Sequence, residues 1–324
     1  MRKFVHLNAR AVDEAVSVLQ KYGAKARVIA GGTDLLGKMK DEILPTYPEV
    51  IINLKSIPGL DFIREEQGML RIGALTRLED IATDPVVCSK YKALADAAHR
   101  TASPHIREMG TIGGNLCQDI RCWYYRNPHN RFPCLRKGGG RCYAIEGDNR
   151  YHSIFESSVK GGCLAVHPSD TAPALAAMNA VVQTSKRLIA AEDFFEVGVT
   201  KTTVLEPDEI VTEVQIQAPS AETKSAFVKF ASRKTIDFPI VNCAAMITTS
   251  GGKVSGARIC LNAVYVTPYR AANAEESIQG QGIDETTARA AGIAAVSRAK
   301  PLRHNNYMVQ IAKTMVTRAI LGCR

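Results

Sequence analysis

No stretch of the 324 residues approaches the ~20 consecutive apolar positions that a membrane-spanning helix needs. The basic start Met1-Arg2-Lys3 is followed by no apolar core and no small-residue cleavage site. A cytoplasmic protein is therefore expected, with the periplasm open to it if a signal-bearing partner exports the whole complex. Aromatic residues make up only 6%, with a single Trp, and no repeat or low-complexity tract occurs, which excludes coiled coils and collagen. Nine cysteines are too sparse for a disulfide scaffold, and no C-x2-C knuckle of the common zinc ribbons is present. The dinucleotide fingerprint G-x-G-x-x-G is missing as well. Gly32 to Lys38 matches G-x-x-x-x-G-K, but Met39 stands where a phosphate-binding loop needs a Ser or Thr for Mg²⁺, which argues against nucleotide hydrolysis. No Ser/His/Asp or paired-carboxylate set suggests acid–base work on a substrate, so no catalytic residue is assigned.

What remains is a chain with 46% hydrophobic and 23% charged residues, long enough for two domains with separate cores. Its net charge of +9 points to an anionic ligand or acidic partners. Val12, Ala15, Val16 and Leu19 mark one helix face, followed by strands at 26–30, 50–54 and 69–73 and helical patterns at 76–83 and 88–101. A strand at 164–167, a helix at 170–177, and strands at 209–217 and 226–230 follow. Residues 241–249 and 254–266, joined by Gly251-Gly252, read as a hairpin. Met308, Ile311, Ala312, Met315 and Ala319 form one face of a last helix. The domain boundary is expected near 217–224.

Two glycine-bearing elements suit a phosphate ligand. Val28-Ile29-Ala30-Gly31-Gly32-Thr33-Asp34-Leu35-Leu36 runs from a strand through paired glycines towards a helix, where backbone N–H groups can face an anion. The same residues also suit a plain strand–turn–helix connection with Thr33 or Asp34 as N-cap. Gly110-Thr111-Ile112-Gly113-Gly114-Asn115-Leu116 is a second such loop, and two in one domain favour a dinucleotide-sized ligand.

Residues 117–163 have neither helical nor strand periodicity, yet they hold five of the nine cysteines, the only Trp, and 8 Lys/Arg against 4 Asp/Glu. An irregular stretch this long needs something to order it. Cys122, Cys134, Cys142 and Cys163 can supply four thiolates to Zn²⁺ or to an iron–sulfur cluster, and spacing alone does not choose between them. Arg121, Arg126, Arg131, Arg136, Lys137 and Arg141 are expected to offset the thiolate charge. Cys88, Cys243 and Cys260 read as small core residues, and Cys323 as a free thiol. His105, His129, His152 and His167 read as loop or supporting residues rather than metal ligands.

The ordered set 30–36, 111–116, Ser169-Asp170, then Lys229 with Ala231-Ser232-Arg233, resembles the FAD-binding medium subunit of the xanthine dehydrogenase / molybdenum hydroxylase family, over nearly the whole chain. The four-cysteine insert is similar to the subgroup that adds a [4Fe–4S] cluster, which includes the periplasmic aldehyde oxidoreductase flavin subunit and the 4-hydroxybenzoyl-CoA reductase β subunit. The resemblance implies an α+β fold: a two-part PCMH-type FAD-binding domain at 1–217, with an insert at about 117–163, then a smaller α+β domain of antiparallel sheet and helices at 224–324. It implies that Val28, Ile29, Ala30, Gly31, Gly32, Thr33, Asp34, Leu35, Leu36, Thr111, Gly114 and Asn115 cradle FAD. Asp170 and Lys229 would lie near the flavin, and Ile210 or Val211 would pack on its ring. Cys122, rather than Cys117, would join Cys134, Cys142 and Cys163 as cluster ligand.

The function so implied is electron transfer: FAD and [4Fe–4S] relaying electrons between a molybdopterin-binding large subunit, a [2Fe–2S] small subunit and an external donor or acceptor, in an enzyme hydroxylating or dehydroxylating an aromatic or aldehyde substrate. No nucleic acid and no membrane span are expected. Two rivals are a stand-alone FAD oxidoreductase with structural zinc and a basic zinc-stabilised nucleic-acid-binding module.

Overall fold

In the computed structural model, which describes residues 1–156, 162–196, 198–199 and 201–324, the first periodic segment forms the helix Val12–Tyr22, burying Ala15 and Leu19. It connects two members of a three-stranded parallel sheet, β1 (Val5–Asn8), β2 (Ala26–Ile29) and β3 (Val50–Asn53), in the order β1-β3-β2. Parallel strands bring their carboxyl ends to one edge, where ligands of open α/β sheets bind. Here that edge carries Gly31-Gly32 after β2 and Leu54 after β3.

The second sheet is antiparallel throughout: β4 (Ile63–Glu66), β5 (Met69–Gly73), β6 (Val181–Thr184), β7 (Leu188–Ala190) and β8 (Val211–Gln217), in the order β4-β5-β8-β6-β7. Alternate residues such as Leu70 and Ile72, or Val214 and Ile216, face a core shared with the helices Leu78–Thr83, Lys92–His99 and Thr171–Ala177. The helical pattern read at 88–101 is two helices, Pro85–Lys90 and Lys92–His99. Asp84 starts the first by accepting from the Val86 and Val87 amides, and Tyr91, at φ −120° and ψ 46°, breaks the run so that its ring can be buried.

The third sheet, β9 (Thr223–Phe230), β10 (Val241–Ser250), β11 (Lys253–Asn262) and β12 (Tyr269–Arg270), is antiparallel and ordered β12-β11-β10-β9. Gly251 and Gly252 take φ values of 58° and 77°, the left-handed pair that a two-residue hairpin turn requires. The helices Ala272–Ile278, Glu285–Ala295 and Asn306–Leu321 cover this sheet, and Met308, Ala312, Met315 and Ala319 are buried on one face as their spacing predicts.

Three expectations need correction. Residues 164–167 form no strand; the segment is tied by the Leu164 carbonyl accepting from the Ser153 amide, by the Leu164 amide meeting the Cys142 sulfur, and by the His167 amide donating to the Tyr265 carbonyl. The second hairpin strand stops at Asn262, short of Val266, because the backbone turns at the next residue, Ala263, to φ 61°. Cys88 is exposed rather than a core residue, since its short helix turns that side outward; Cys243, Cys260 and Cys323 are buried.

Among its described residues, the 117–163 insert contains little regular structure, namely the turns Trp123–Arg126, Pro128–Asn130 and Leu135–Lys137. Aromatic contacts among Trp123, Tyr124, Phe132, Tyr143, Tyr151 and His152 order it. Buried hydrogen bonds from Asn305 to the His152 and Ser153 carbonyls fasten it to the C-terminal domain. Among the described residues no helix is long and apolar enough to cross a membrane.

Candidate functional site

A cavity of about 630 Å³ lies at the carboxyl edge of the parallel sheet, in the size range of cofactor sites. Val28, Ile29, Ala30, Gly31, Gly32, Thr33, Asp34 and Leu35 form one wall, and Thr111, Gly113, Gly114 and Asn115 another, so sequence segments eighty residues apart face one space. A Cβ placed on Gly31 would lie 2.0 Å from the Met109 carbonyl oxygen, so the two glycine-bearing walls touch backbone to backbone. Gly32, at φ 73°, supplies the left-handed turn that follows. The next helix begins only at Leu35, and neither Thr33 nor Asp34 makes a side-chain cap bond.

Leu36 does not line the cavity; its side chain packs behind Gly32. Asp170, Ile210 and Val211 do line it. Lys229 does not: its side chain is only 3% exposed, donating to Asp170 Oδ2 at 2.6 Å and to the Arg100 carbonyl at 2.8 Å. Asn242 Nδ2 donates to the other Asp170 oxygen at 2.7 Å. Two strands of the C-terminal domain, β9 and β10, thus hold one carboxylate of the N-terminal domain at the cavity floor. Asn115 is fixed from beneath in the same manner, its Oδ1 accepting from the Ser169 and Thr171 hydroxyls.

Sequence reasoning missed the loop 101–103 and the segment 236–238, which also line the cavity. The Ile236 amide donates to the Ala102 carbonyl at 3.1 Å, and both residues sit at positive φ, 70° and 50°. Left-handed Ala and Ile carry no sequence signature, so only the meeting of the two loops reveals them. Arg121 stacks on Phe238, with the guanidinium 4.7 Å from the ring centre.

Asp34 collects cations: Arg126 Nη2 at 2.7 Å, Arg121 Nη2 at 2.8 Å and Lys38 Nζ at 3.5 Å. Burial by itself would raise its carboxyl, but Lys38, Arg126 and Arg121 together hold it well below the usual carboxylate range. A depressed folded value means that the ion group stabilises the fold above the ordinary carboxylate pKa of about 4 and loses that contribution as pH falls through the folded value. Asp34→Asn is expected to cost on the order of 3 kcal/mol at pH 7. The gap to wild type in urea midpoint should narrow from pH 7 towards pH 3; a gap independent of pH would refute this account.

The four expected thiols, Cys122, Cys134, Cys142 and Cys163, line a second, smaller cavity together with Ile120, Tyr125 and Leu135. Cys117 instead lines the large cavity. Burial pushes the Cys122 thiol up to about 12, eased by the Tyr125 and Tyr124 amides and raised further by Cys163 and Cys134. Cys142 is raised in the same way. Among the described residues no three His, Cys, Asp or Glu side chains gather tightly enough to hold a single metal ion. The donor set is four soft sulfurs around an apolar space, which suits a sulfur-ligated centre.

The expected basic surround is corrected in part. Arg121 and Arg126 turn to Asp34 instead of the thiols, Arg136 lines the thiol cavity while donating to the Gly198 and Lys201 carbonyls, and Arg131 and Arg141 lie over Phe132 and Tyr143. Carboxylates are better partners for guanidinium groups than neutral thiols are. Lys137 is the basic side chain whose charge Cys134 and Cys122 do feel. His152 Nε2 lies 3.2 Å from Cys122 Sγ, a supporting contact as expected, and burial lowers this histidine to about 4.

A parallel-sheet edge with paired glycine walls, covered by an antiparallel five-stranded sheet and clamped by a second antiparallel domain, defines a two-domain flavoprotein subunit. A family model described as the FAD binding domain in molybdopterin dehydrogenase matches residues 2–219, and one described as the CO dehydrogenase flavoprotein C-terminal domain matches residues 226–323. The chain belongs to the FAD-binding medium-subunit family of the xanthine dehydrogenase and CO dehydrogenase type. It is 33% identical to the aldehyde oxidoreductase FAD-binding subunit PaoB of Escherichia coli over 337 aligned positions, covering 100% of this chain and 99% of that one. It is 30% identical to the carbon monoxide dehydrogenase medium chain of Hydrogenophaga pseudoflava, covering 98% and 96%. The solved structure of carbon monoxide dehydrogenase from Hydrogenophaga pseudoflava superposes with a TM-score of 0.79 at 28% identity, over 99% of this chain and 97% of that one. These homologues are subunits of molybdenum-dependent dehydrogenases and oxidoreductases.

Proposed function

We propose that this chain is an electron-transfer subunit that binds FAD in the large cavity and a [4Fe–4S] cluster on Cys122, Cys134, Cys142 and Cys163. In this reading it works beside a molybdopterin-binding large subunit, where substrate reacts, and a [2Fe–2S] small subunit, and exchanges electrons with an external partner. The substrate class is an aldehyde or an aromatic compound. One observation carries the reading: the two cavities share a single wall of side chains, with Asp34, Lys38 and Arg121 on one side and Tyr125 and Arg136 on the other.

The residues divide the work by chemistry. Backbone N–H groups of 28–35 and 111–115 hold the diphosphate and ribityl chain, where glycine lets the main chain come close. Asp170, kept in place by Lys229 and Asn242, faces the flavin, and Ile210 and Val211 supply an apolar surface for its ring. FAD, when bound, interconverts two-electron and one-electron chemistry. Cys134 and Cys163 are buried and Cys122 and Cys142 half-buried, beside the rings of Tyr124, Tyr125 and Tyr143, and such burial tunes the potential of a cluster.

The test is composition. Anaerobically purified protein is expected to contain about one FAD, four iron and four acid-labile sulfide per chain, with a broad absorbance near the flavin bands. Flavin with one zinc and no iron would replace the cluster by a structural zinc. A folded chain with neither flavin nor iron would overturn the reading.

A further inference from the structure

The wall between the cavities is an ion group of unusual balance. Asp34, Lys38, Asp119, Arg121, Arg126 and Arg136 place four cations against two carboxylates, all with side chains no more than 27% exposed. Asp119 stands at the centre. Its Oδ2 accepts from the Tyr125 hydroxyl at 2.6 Å and from Lys38 Nζ at 3.3 Å, and its amide donates to Asp34 Oδ2 at 3.0 Å. Arg136, which lines the thiol cavity, approaches its other oxygen at 4.0 Å. Tyr125 therefore presents its ring to the thiols and its hydroxyl to the carboxylate. Nε of Arg121 and of Arg136 are buried without a hydrogen-bond partner. A buried surplus of positive charge is costly unless anions stand beside it. Each cavity offers a place for one: a diphosphate against Lys38 and Arg121, thiolate sulfurs against Tyr125 and Arg136.

We propose that Asp119 is the positioning residue that sets the electrostatic coupling between the two redox sites, by partly neutralising a cationic wall that serves both as counter-charge. The inference rests on the FAD and cluster reading above. An electron added on the thiol side places one more negative charge against the wall, and Asp119 limits how strongly the wall stabilises it. Neutralising Asp119 leaves the wall more positive. That change favours the reduced, more negative state of the cluster and tightens diphosphate binding on the other face.

The test uses the purified full-length protein with its partners. Asp119→Asn keeps the shape and the contacts from the Tyr125 hydroxyl and Lys38 on one oxygen, puts an amide nitrogen where Oδ1 accepts from the Ile120 amide at 2.8 Å, and removes the charge. The reduction equilibrium of the cluster, followed by EPR during a redox titration, is expected to shift about tenfold towards the reduced form, or 59 mV for a one-electron couple. FAD rebinding to deflavinated protein is expected to become several-fold tighter. Asp119→Glu restores the charge and should titrate near wild type, and Glu285→Gln, an exposed carboxylate of the helix Glu285–Ala295 that lines neither cavity, should move neither quantity. Tyr125→Phe keeps the ring but removes the donor that offsets the Asp119 charge, so it should shift the cluster a few-fold the other way. An unmoved potential in folded Asp119→Asn or in Tyr125→Phe, or equal shifts in Asn and Glu variants, would overturn the proposal and leave the cluster reading standing. Wild-type protein that carries no iron would overturn both.

Discussion

Gly31→Ala is expected to yield a folded protein that no longer retains flavin, with FAD affinity reduced about 10- to 100-fold. The added methyl would lie 2.0 Å from the Met109 carbonyl oxygen and 3.0 Å from Gly110 Cα. Both obstacles are backbone, so neither can rotate away. The two glycine walls must separate, and every backbone donor aimed at the diphosphate moves with them. Gly37→Ala, six residues on, is the control: its Cβ meets nothing within 4 Å, and alanine in a helix is favoured by up to ~1 kcal/mol. Flavin fluorescence released on denaturation, together with far-UV circular dichroism, distinguishes loss of the site from loss of the fold. Full flavin content in Gly31→Ala would show that the walls do not need to touch.

Lys229→Met is expected to destabilise the protein by about 3–5 kcal/mol, because it leaves the Asp170 carboxylate buried with Asn242 as its remaining side-chain donor. The pair joins β9 to the start of the Thr171–Ala177 helix, so its loss should also loosen the contact between the two domains. Urea unfolding is predicted to lose cooperativity, separating into two transitions where wild type shows one. The double variant Lys229→Met with Asp170→Asn should recover most of the stability, since no uncompensated charge then remains buried. A single variant as destabilised as the double would mean that packing of the lysine stem, rather than its charge, holds the interface.

Much of the fold was legible because local pattern and final environment agree. The face of Met308, Ala312, Met315 and Ala319, the Gly251-Gly252 turn, and the strand that runs into Gly31-Gly32 are buried or turned as their spacing predicts. The disagreements lie where tertiary contacts outvote local preference. Tyr91 breaks a continuous helical pattern to bury its ring, and residues 164–167, apolar enough for a strand, find no partner strand. Lys229 belongs to the expected neighbourhood, but its charge is spent on Asp170 and does not reach the cavity. Arg121 and Arg126 carry the charge foreseen for them and apply it to Asp34 instead of the thiols.

By itself, the sequence determined which residue types are available and in what order: two glycine elements, a Ser-Asp pair, four cysteines in an irregular insert, and the periodicities of β2, β3, β5, β8, β9, β10 and β11, while the short strands β1, β4, β6, β7 and β12 went unread. Those features depend on neighbours a few residues apart, and near-neighbour spacing is written directly in the chain. Only the tertiary structure decided that the two glycine walls meet at Met109, that Ala102 and Ile236 join across domains, and that Cys117 lines the large cavity. It alone placed Asp119 between the two cavities. Direction and distance between groups far apart in sequence come from how sheets and helices pack, and packing is a property of the whole chain.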